Sequence, residues 1–363
     1  MQSPSSSYQE SEEEVDQEDY YSDDDRVSLR SNKRTKTKSN NDGRDRISAL
    51  PDPLLHHILS FMDMKEVMGT NSLSRRWRYL WKYIPILSFS HILWYVKHKM
   101  RSGDSEKRMF MDFVKQVLLL RDISSTIKIL SFHCSRYCKT DQVDDWMRVA
   151  VTRHVEEVIL NYDPGMYTVL PGFIFNSAIS VFKLSSFPHA LQVPNSICLA
   201  PKLKTLELES VRLPEGNSIC EVVFSCPMLE NLSIIYCDHS HIYMLNISAL
   251  QLKNLKIQNT VECGNSSCFI SISAPNLTSL RLKGSLYANY YLENLSSLVD
   301  AKIECLLYER VYPQLLIKIL RGLQNATSLE LSGQSLSTIH LDIVISIGGV
   351  ASLVYPLLAF KTT

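Results

Sequence analysis

Few residues in this chain have types and spacing that could do chemistry. His56 and His57 stand side by side, "HCSRYC" gathers His133, Cys134 and Cys138, and "CGNSSC" holds Cys263 and Cys268. A zinc site needs a second close pair at ribbon distance, and neither grouping has one. The nine cysteines therefore read as small buried hydrophobes. The two histidines fall in an amphipathic helical pattern, where they read as a surface residue and a boundary residue. No GxSxG, P-loop or HExxH occurs. The expectation is no catalytic residue, no metal ligand and no cofactor. What remains is docking chemistry. "LSRRWRYLW", Leu73 to Trp81, sets two of the four tryptophans four residues apart among arginines. Aromatic anchors of this kind dominate protein interfaces, but a core helix with a charged outside, or a nucleic-acid element, would look the same locally.

The bulk numbers thin these alternatives. The chain has 363 residues, 45% hydrophobic and 21% charged, and a formal net charge of zero. A protein that works by neutralising phosphates tends to be strongly basic, so no nucleic-acid partner is expected. The opening residues do not resemble a secretory signal, which predicts reduced thiols and an intracellular protein. Residues 1–43 are rich in Ser, Asp, Glu and Asn, with almost nothing aliphatic to offset the entropy of ordering, and read as a disordered tail. Within it Lys33, Arg34, Lys36 and Lys38 form a basic cluster that reads either as a nuclear import signal or as a solubilising linker. Nucleus and cytoplasm both stay open, the nucleus slightly favoured.

Three short helices must position the tryptophans. Asp52 and Pro53 suit the start of the first, with Asp as N-cap and Pro in the first turn, and Leu54, Leu55, Ile58, Leu59 and Met62 recur at helical spacing. Asp63 can cap a second helix, Met64 to Met68, which Gly69 would end. Asn71 or Ser72 can cap a third, carrying Leu73, Trp77, Leu80 and Trp81 on one face and Arg75, Arg76, Arg78 and Lys82 on the other. Such a small unit exposes more apolar surface than three short helices can hide, so it docks on the following domain or on a partner.

From Ile127 onward the pattern apolar-x-x-apolar-x-apolar takes over. It begins at Ile127/Leu130/Phe132, continues through Leu203/Leu206/Leu208 and Leu277/Leu280/Leu282, and ends at Ala326/Leu329/Leu331, at intervals of roughly 21 to 28 residues. "APKLKTLEL", "CPMLENLSI" and "APNLTSLRL" introduce units with the same phrase. This is a leucine-rich-repeat signature, one short strand per turn of a solenoid, with the apolar residues inward. Alternation along the strand turns the residues between them outward on the concave face. The candidate target-binding residues there are Glu207, Glu209, Asn254, Lys256, Ser279, Arg281, Lys283 and Lys302.

The stretch Leu50 to Phe89, with Leu50-Pro51 at its start, "LLHHILSFM" and "LSRRWRYLW", closely resembles an F-box, in particular the one heading the plant F-box/leucine-rich-repeat proteins. The resemblance covers about Asp45 to Ser332. It implies an α/β fold: a disordered tail (1–43), a three-helix F-box (44–90), a helical linker (91–126) and a curved solenoid or horseshoe with a parallel sheet on its concave face (127–335). It also implies the substrate-recognition subunit of an SCF-type cullin-RING ubiquitin ligase. The F-box would dock on a Skp-type adaptor and through it on cullin and RING subunits, while the repeats hold a target protein, whose identity is not readable. Carried over residue by residue, Leu50, Pro51, Leu54, Ile58, Leu59, Leu73, Trp77, Leu80 and Trp81 form the adaptor interface or its immediate support. The chain itself would be no enzyme, since catalysis is proximity of a target lysine to a thioester on another subunit. The alternative is a leucine-rich-repeat scaffold without ubiquitin transfer.

The end departs from the pattern. Residues 336–363 do not resemble the FBD domain that many members carry after the repeats. Ile343 to Phe360 is uncharged and mostly apolar, interrupted by Gly348, Gly349 and Pro356. An improvised end to the solenoid is the favoured reading, ahead of a tail anchor or a truncated reading frame, and no membrane partner is expected.

Overall fold

The computed structural model describes residues 46–92, 104–134, 138, 140–187, 190–259, 268–284, 289–305 and 313–332. The tail 1–43 with Lys33 to Lys38, the segment 336–363 and most of "CGNSSC" lie outside the described residues. Everything described from Leu50 onward belongs to one compact unit.

Three helices open that unit: α1 (Asp52–Leu59), α2 (Met64–Gly69) and α3 (Trp77–Leu80). The second starts as its sequence suggests, with the Asp63 carboxylate accepting from the Lys65 amide. The first starts one residue earlier than expected. Leu54 and Leu55 both donate to the Pro51 carbonyl, at 3.0 and 3.2 Å, so Pro51 is the N-cap. Asp52 lies inside the first turn, and its carboxylate is engaged by Arg76. The third helix is also shorter than expected. A 3₁₀ turn at Thr70–Ser72 and another at Trp81–Tyr83 flank a single α-turn, so Leu73 leaves the face that buries Trp77, Leu80 and Trp81.

The chain then enters a ten-stranded sheet. Its strands in spatial order are β1 (Ile86–Ser90), β2 (Ile129–Cys134), β3 (Glu157–Tyr162), β5 (Val181–Ser185), β7 (Thr205–Glu209), β9 (Asn231–Ile235), β11 (Asn254–Gln258), β13 (Ser279–Gly284), β15 (Asp300–Cys305) and β16 (Ser328–Leu331), with every pairing parallel. Nine of these fall on the repeat pattern, and β1 comes from the helical segment's own tail. Strand alternation explains the register: Leu87/Phe89 stack on Leu130/Phe132, these on Val158/Leu160, and so on to Ala301/Ile303, all inward and buried. In β16 the equivalent Leu329 and Leu331 are only half-buried, where the core thins.

Repeat spacing does not announce the other side of these turns. A two-stranded ladder, β4 (Thr168–Val169) with β6 (Leu191–Gln192), lies there. So does a four-stranded parallel sheet of β8 (Glu221–Phe224), β10 (Met244–Ile247), β12 (Phe269–Ser273) and β14 (Asn289–Glu293). Val222, Phe224, Leu245, Ile247, Ile270 and Ile272 close the core from that side. Helices α4 (Asp104–Leu120) and α5 (Thr140–Thr152) cover the first strands, and α6 (Pro313–Gly322) packs on β14.

One hydrophobic core runs without a break from Leu55 to Leu323. At the junction Phe89 stacks on Phe132 at 5.4 Å between ring centroids, and Phe132 on Trp146 at 4.6 Å. Stacked aromatic pairs contribute beyond their buried area, so the helical segment is packed onto the repeats as part of the same core.

Candidate functional site

Two outward surfaces are positioned by this core. The first is on α1, whose apolar residues divide into two stripes. Leu55 and Leu59 point inward and are buried. Leu54 and Ile58 lie on another face, and Phe61, two residues past the end of the helix, continues their spacing; the three are 50%, 43% and 78% exposed. Phe61 sits edge-on to the His57 ring at 4.9 Å. Leu73 is 65% exposed, Pro51 exposed and Leu50 half-buried. Trp77, Leu80 and Trp81 are buried in the chain's own core. Of the nine adaptor candidates, four are therefore interior support (Leu59, Trp77, Leu80 and Trp81), and Pro51, Leu54, Ile58 and Leu73 are open to contact. Sequence reasoning did not select Phe61, although it continues the Leu54/Ile58 spacing.

Polar ties hold this surface in shape. Arg76 donates to the Asp52 carboxylate and to the Leu50 carbonyl, which fastens the "LSRRW" segment to the Leu50-Pro51 start. Asp63 accepts from Lys65 N at 2.9 Å and from Ser90 N at 2.7 Å, tying α2 to β1. Burial pushes its carboxyl above the ordinary range, against those two backbone donors. Arg121, just after α4, is buried and donates to the carbonyls of Trp81 at 3.3 Å, Ile84 at 2.5 Å and Thr126 at 3.2 Å. Burial, with Arg153 nearby, pulls the Arg121 guanidinium down to about 10. It still carries its charge at neutral pH and neutralises the carbonyl ends of the chain that leaves Trp81.

The second surface is the outward face of the ten-stranded sheet. In-register pairing lays its side chains in rows. One row runs Lys183, Glu207, Ser233, Lys256, Arg281, Lys302, Glu330; the row beside it runs Thr205, Asn231, Asn254, Ser279, Asp300. Asn254 donates to Asn231 at 2.7 Å, and Asn231 to Thr205 at 3.1 Å. Lys183 lies 3.6 Å from Glu157 and 3.7 Å from Glu207. Lys302 bridges Glu304 and Glu330 at 2.8 and 2.7 Å, and Lys283 meets Glu304 at 2.9 Å. Lys302 first, then Lys283, hold the Glu304 carboxyl below the ordinary range. All eight candidate target-binding residues lie on this face. Five of them, Glu207, Asn254, Lys256, Ser279 and Arg281, line one depression of about 280 Å³.

Burial lowers His133 and His56 and raises the Cys134 thiol, which disfavours their charged forms. Among the described residues no group of three His, Cys, Asp or Glu side chains could hold a metal, and no helix is long and apolar enough to cross a membrane.

Comparison with known proteins agrees with this division. A family model for the F-box domain matches residues 47–89, and one described as the At1g61320/AtMIF1 LRR domain matches residues 120–336. The chain is 30% identical over 325 residues to the F-box/LRR-repeat protein At3g58900 of Arabidopsis thaliana, covering 83% of this chain and 97% of that protein. It is 34% identical over 270 residues to the F-box/LRR-repeat protein At3g59200, covering 72% and 50%. To the F-box/FBD/LRR-repeat protein At5g56420 it is 30% identical over 267 residues, covering 72% and 60%; both are also from Arabidopsis thaliana. The chain spans about half to two thirds of the length of most curated relatives it matches. No solved structure matches it.

Proposed function

The chain belongs to the F-box/leucine-rich-repeat family, and on that premise we propose that it is the substrate-recognition subunit of an SCF-type cullin-RING ubiquitin ligase. The observation that carries this reading is the outward stripe Leu54, Ile58 and Phe61, left open on a segment whose Leu55, Leu59, Trp77, Leu80 and Trp81 are locked into the core. Isolated exposed apolar residues are ordinary, but three large ones aligned along a helix and the turn that leaves it mark a place where another surface is covered. A Skp-type adaptor is the occupant, bringing cullin and RING subunits with it. Pro51, Leu54, Ile58, Phe61 and Leu73 make contact, while Leu59, Trp77, Leu80 and Trp81 hold them in place. Burying such a stripe stabilises a complex by on the order of 25 cal/mol per Å² before the cost of association.

In this division of labour the F-box (44–90) and its helical linker (91–126) present the repeats (127–335) to the ligase, and the sheet face holds the target. The chain contributes no catalytic group. It fixes the position of the target lysine near a thioester carried elsewhere, and the shared core makes that position rigid. Such a role, together with the Lys33 to Lys38 cluster, favours work in the nucleus or cytoplasm.

Two arms test the proposal. Purified chain is mixed with a Skp-type adaptor, cullin and RING subunits, and a single assembly on size exclusion is the expected result; failure to associate removes the ligase reading. In cells, the chain lacking residues 50–89 should accumulate targets that the intact chain depletes through the proteasome. Equal target half-lives with both forms would leave a binding scaffold without ubiquitin transfer.

A further inference from the structure

The sheet face carries five strand cations between β5 and β15, and they are not equivalent. Lys183, Lys283 and Lys302 each lie within 3.7 Å of a carboxylate. Lys256 and Arg281 have no ion pair among the described residues, and they stand directly opposite each other across β11 and β13; on its other side Arg281 faces Lys302, whose charge Glu304 and Glu330 offset. Neighbouring strands lie about 4.8 Å apart, and like charges set directly opposite destabilise a sheet. The repulsion between Lys256 and Arg281 is therefore left standing, while between Arg281 and Lys302 the acids paired to Lys302 relieve it. Both cations border the 280 Å³ depression, with Ser233, Ser279, Asn231 and Asn254 as neutral hydrogen-bonding groups around them. The one acid at its rim, Glu207, is matched to Lys183.

Resting on the reading of this face as the target surface, we propose that Lys256 and Arg281 form an anion site that receives a carboxylate or phosphate presented by an acidic segment of the target protein. An ammonium supplies a point charge and a guanidinium a planar fork of donors, and the two together suit an oxyanion with several acceptor atoms. The hydroxyls and amides around them can take the remaining oxygens. The flanking Lys–Glu pairs keep competing charge off the rest of the face, so an acidic segment is registered at one spot instead of sliding along the sheet.

The test uses the full chain and three immobilised peptide pools with randomised flanks and a fixed central residue: phosphoserine, glutamate or glutamine. Retention of one or both anionic pools at least about tenfold above the glutamine pool is expected, roughly the worth of one charge-assisted contact. Which anionic pool is retained tells which group the target presents. The doubly substituted Lys256→Gln, Arg281→Gln chain should lose that preference while still binding the adaptor. Equal retention of all three pools, retention of none, or a preference that survives the double substitution would overturn the proposal. Because adaptor binding is read separately, the anion site can fail with the ligase reading intact, and the converse.

Discussion

Leu54, Ile58 and Phe61 turn three large apolar side chains to water from about two turns of chain, whereas from β7 to β15 the sheet face shows polar and charged side chains with Ile235 as the apolar exception. Both surfaces stand on the same continuous core. An apolar stripe associates without much regard to the partner's charge pattern, since burial of area is non-directional. A face of in-register rows of Lys, Glu and Asn discriminates, because each polar group left unpaired on burial is costly. The difference suits one constant partner at the helical end and one selected partner on the sheet.

The comparison breaks most readily at the support beneath the apolar stripe. Trp77→Ala should cost about 3–5 kcal/mol, the usual range for a large buried aromatic, and should abolish adaptor binding through local unfolding; calorimetry and amide exchange over residues 52–83 read both. Arg121→Met removes three donors to the carbonyls of Trp81, Ile84 and Thr126. Leaving those groups unpaired should cost about 2 kcal/mol, with faster exchange at the junction and a full complement of repeat structure by circular dichroism. On the sheet side, Gly284 stands at φ 113°, and a Cβ there would lie 2.0 Å from the Asn259 carbonyl oxygen. Gly284→Ala should therefore cost about 1–3 kcal/mol of strain, weakening the repeats while the purified protein still binds adaptor.

The smallest effect sharpens the contrast. Glu304 holds both Lys283 and Lys302, and its carboxyl is depressed in the folded chain. That stabilisation is present above the ordinary glutamate range and is lost as pH falls through the folded value. The group is half-buried and its lysine partners are more exposed than it is, so screening keeps its effect on melting slight. Glu304→Gln should free Lys283, leave Lys302 held by Glu330 alone, and raise retention of anionic peptides several-fold, with little change in melting temperature; a fall in retention would mean that the sheet's charge pattern does not govern binding.

Much of this was legible in the sequence. The apolar triplets located nine strands of the ten-stranded sheet, and alternation placed all eight candidate sheet-face residues outward, because strand geometry has a fixed period of two. The tenth strand is masked in the sequence, although Ile84, Leu87 and Phe89 follow the same triplet, because the segment also completes the helical motif. The four-stranded sheet was hidden because "EVVF" and "MLNI" are too short to show a period. On α1 a broad apolar stripe is visible, but its division into buried Leu55/Leu59 and open Leu54/Ile58 depends on where α3 and the 3₁₀ turn after it pack. Leu73 shares a face with the tryptophans only in one continuous helix, which the 3₁₀ turns interrupt. The ion pairs that silence Lys302 and Lys283 were beyond sequence reach, since the rows appear only when strands far apart in the chain are set in register.

The most direct measurement is the dissociation constant between the purified chain and a Skp-type adaptor for the wild type and for Leu54→Asp, Ile58→Asp. Both positions are exposed, so the melting temperature should hold. The affinity should fall at least about a hundredfold, as expected when anchors at an interface centre are replaced by charge. An unchanged affinity in the folded double variant would contradict the assignment of this stripe to the adaptor.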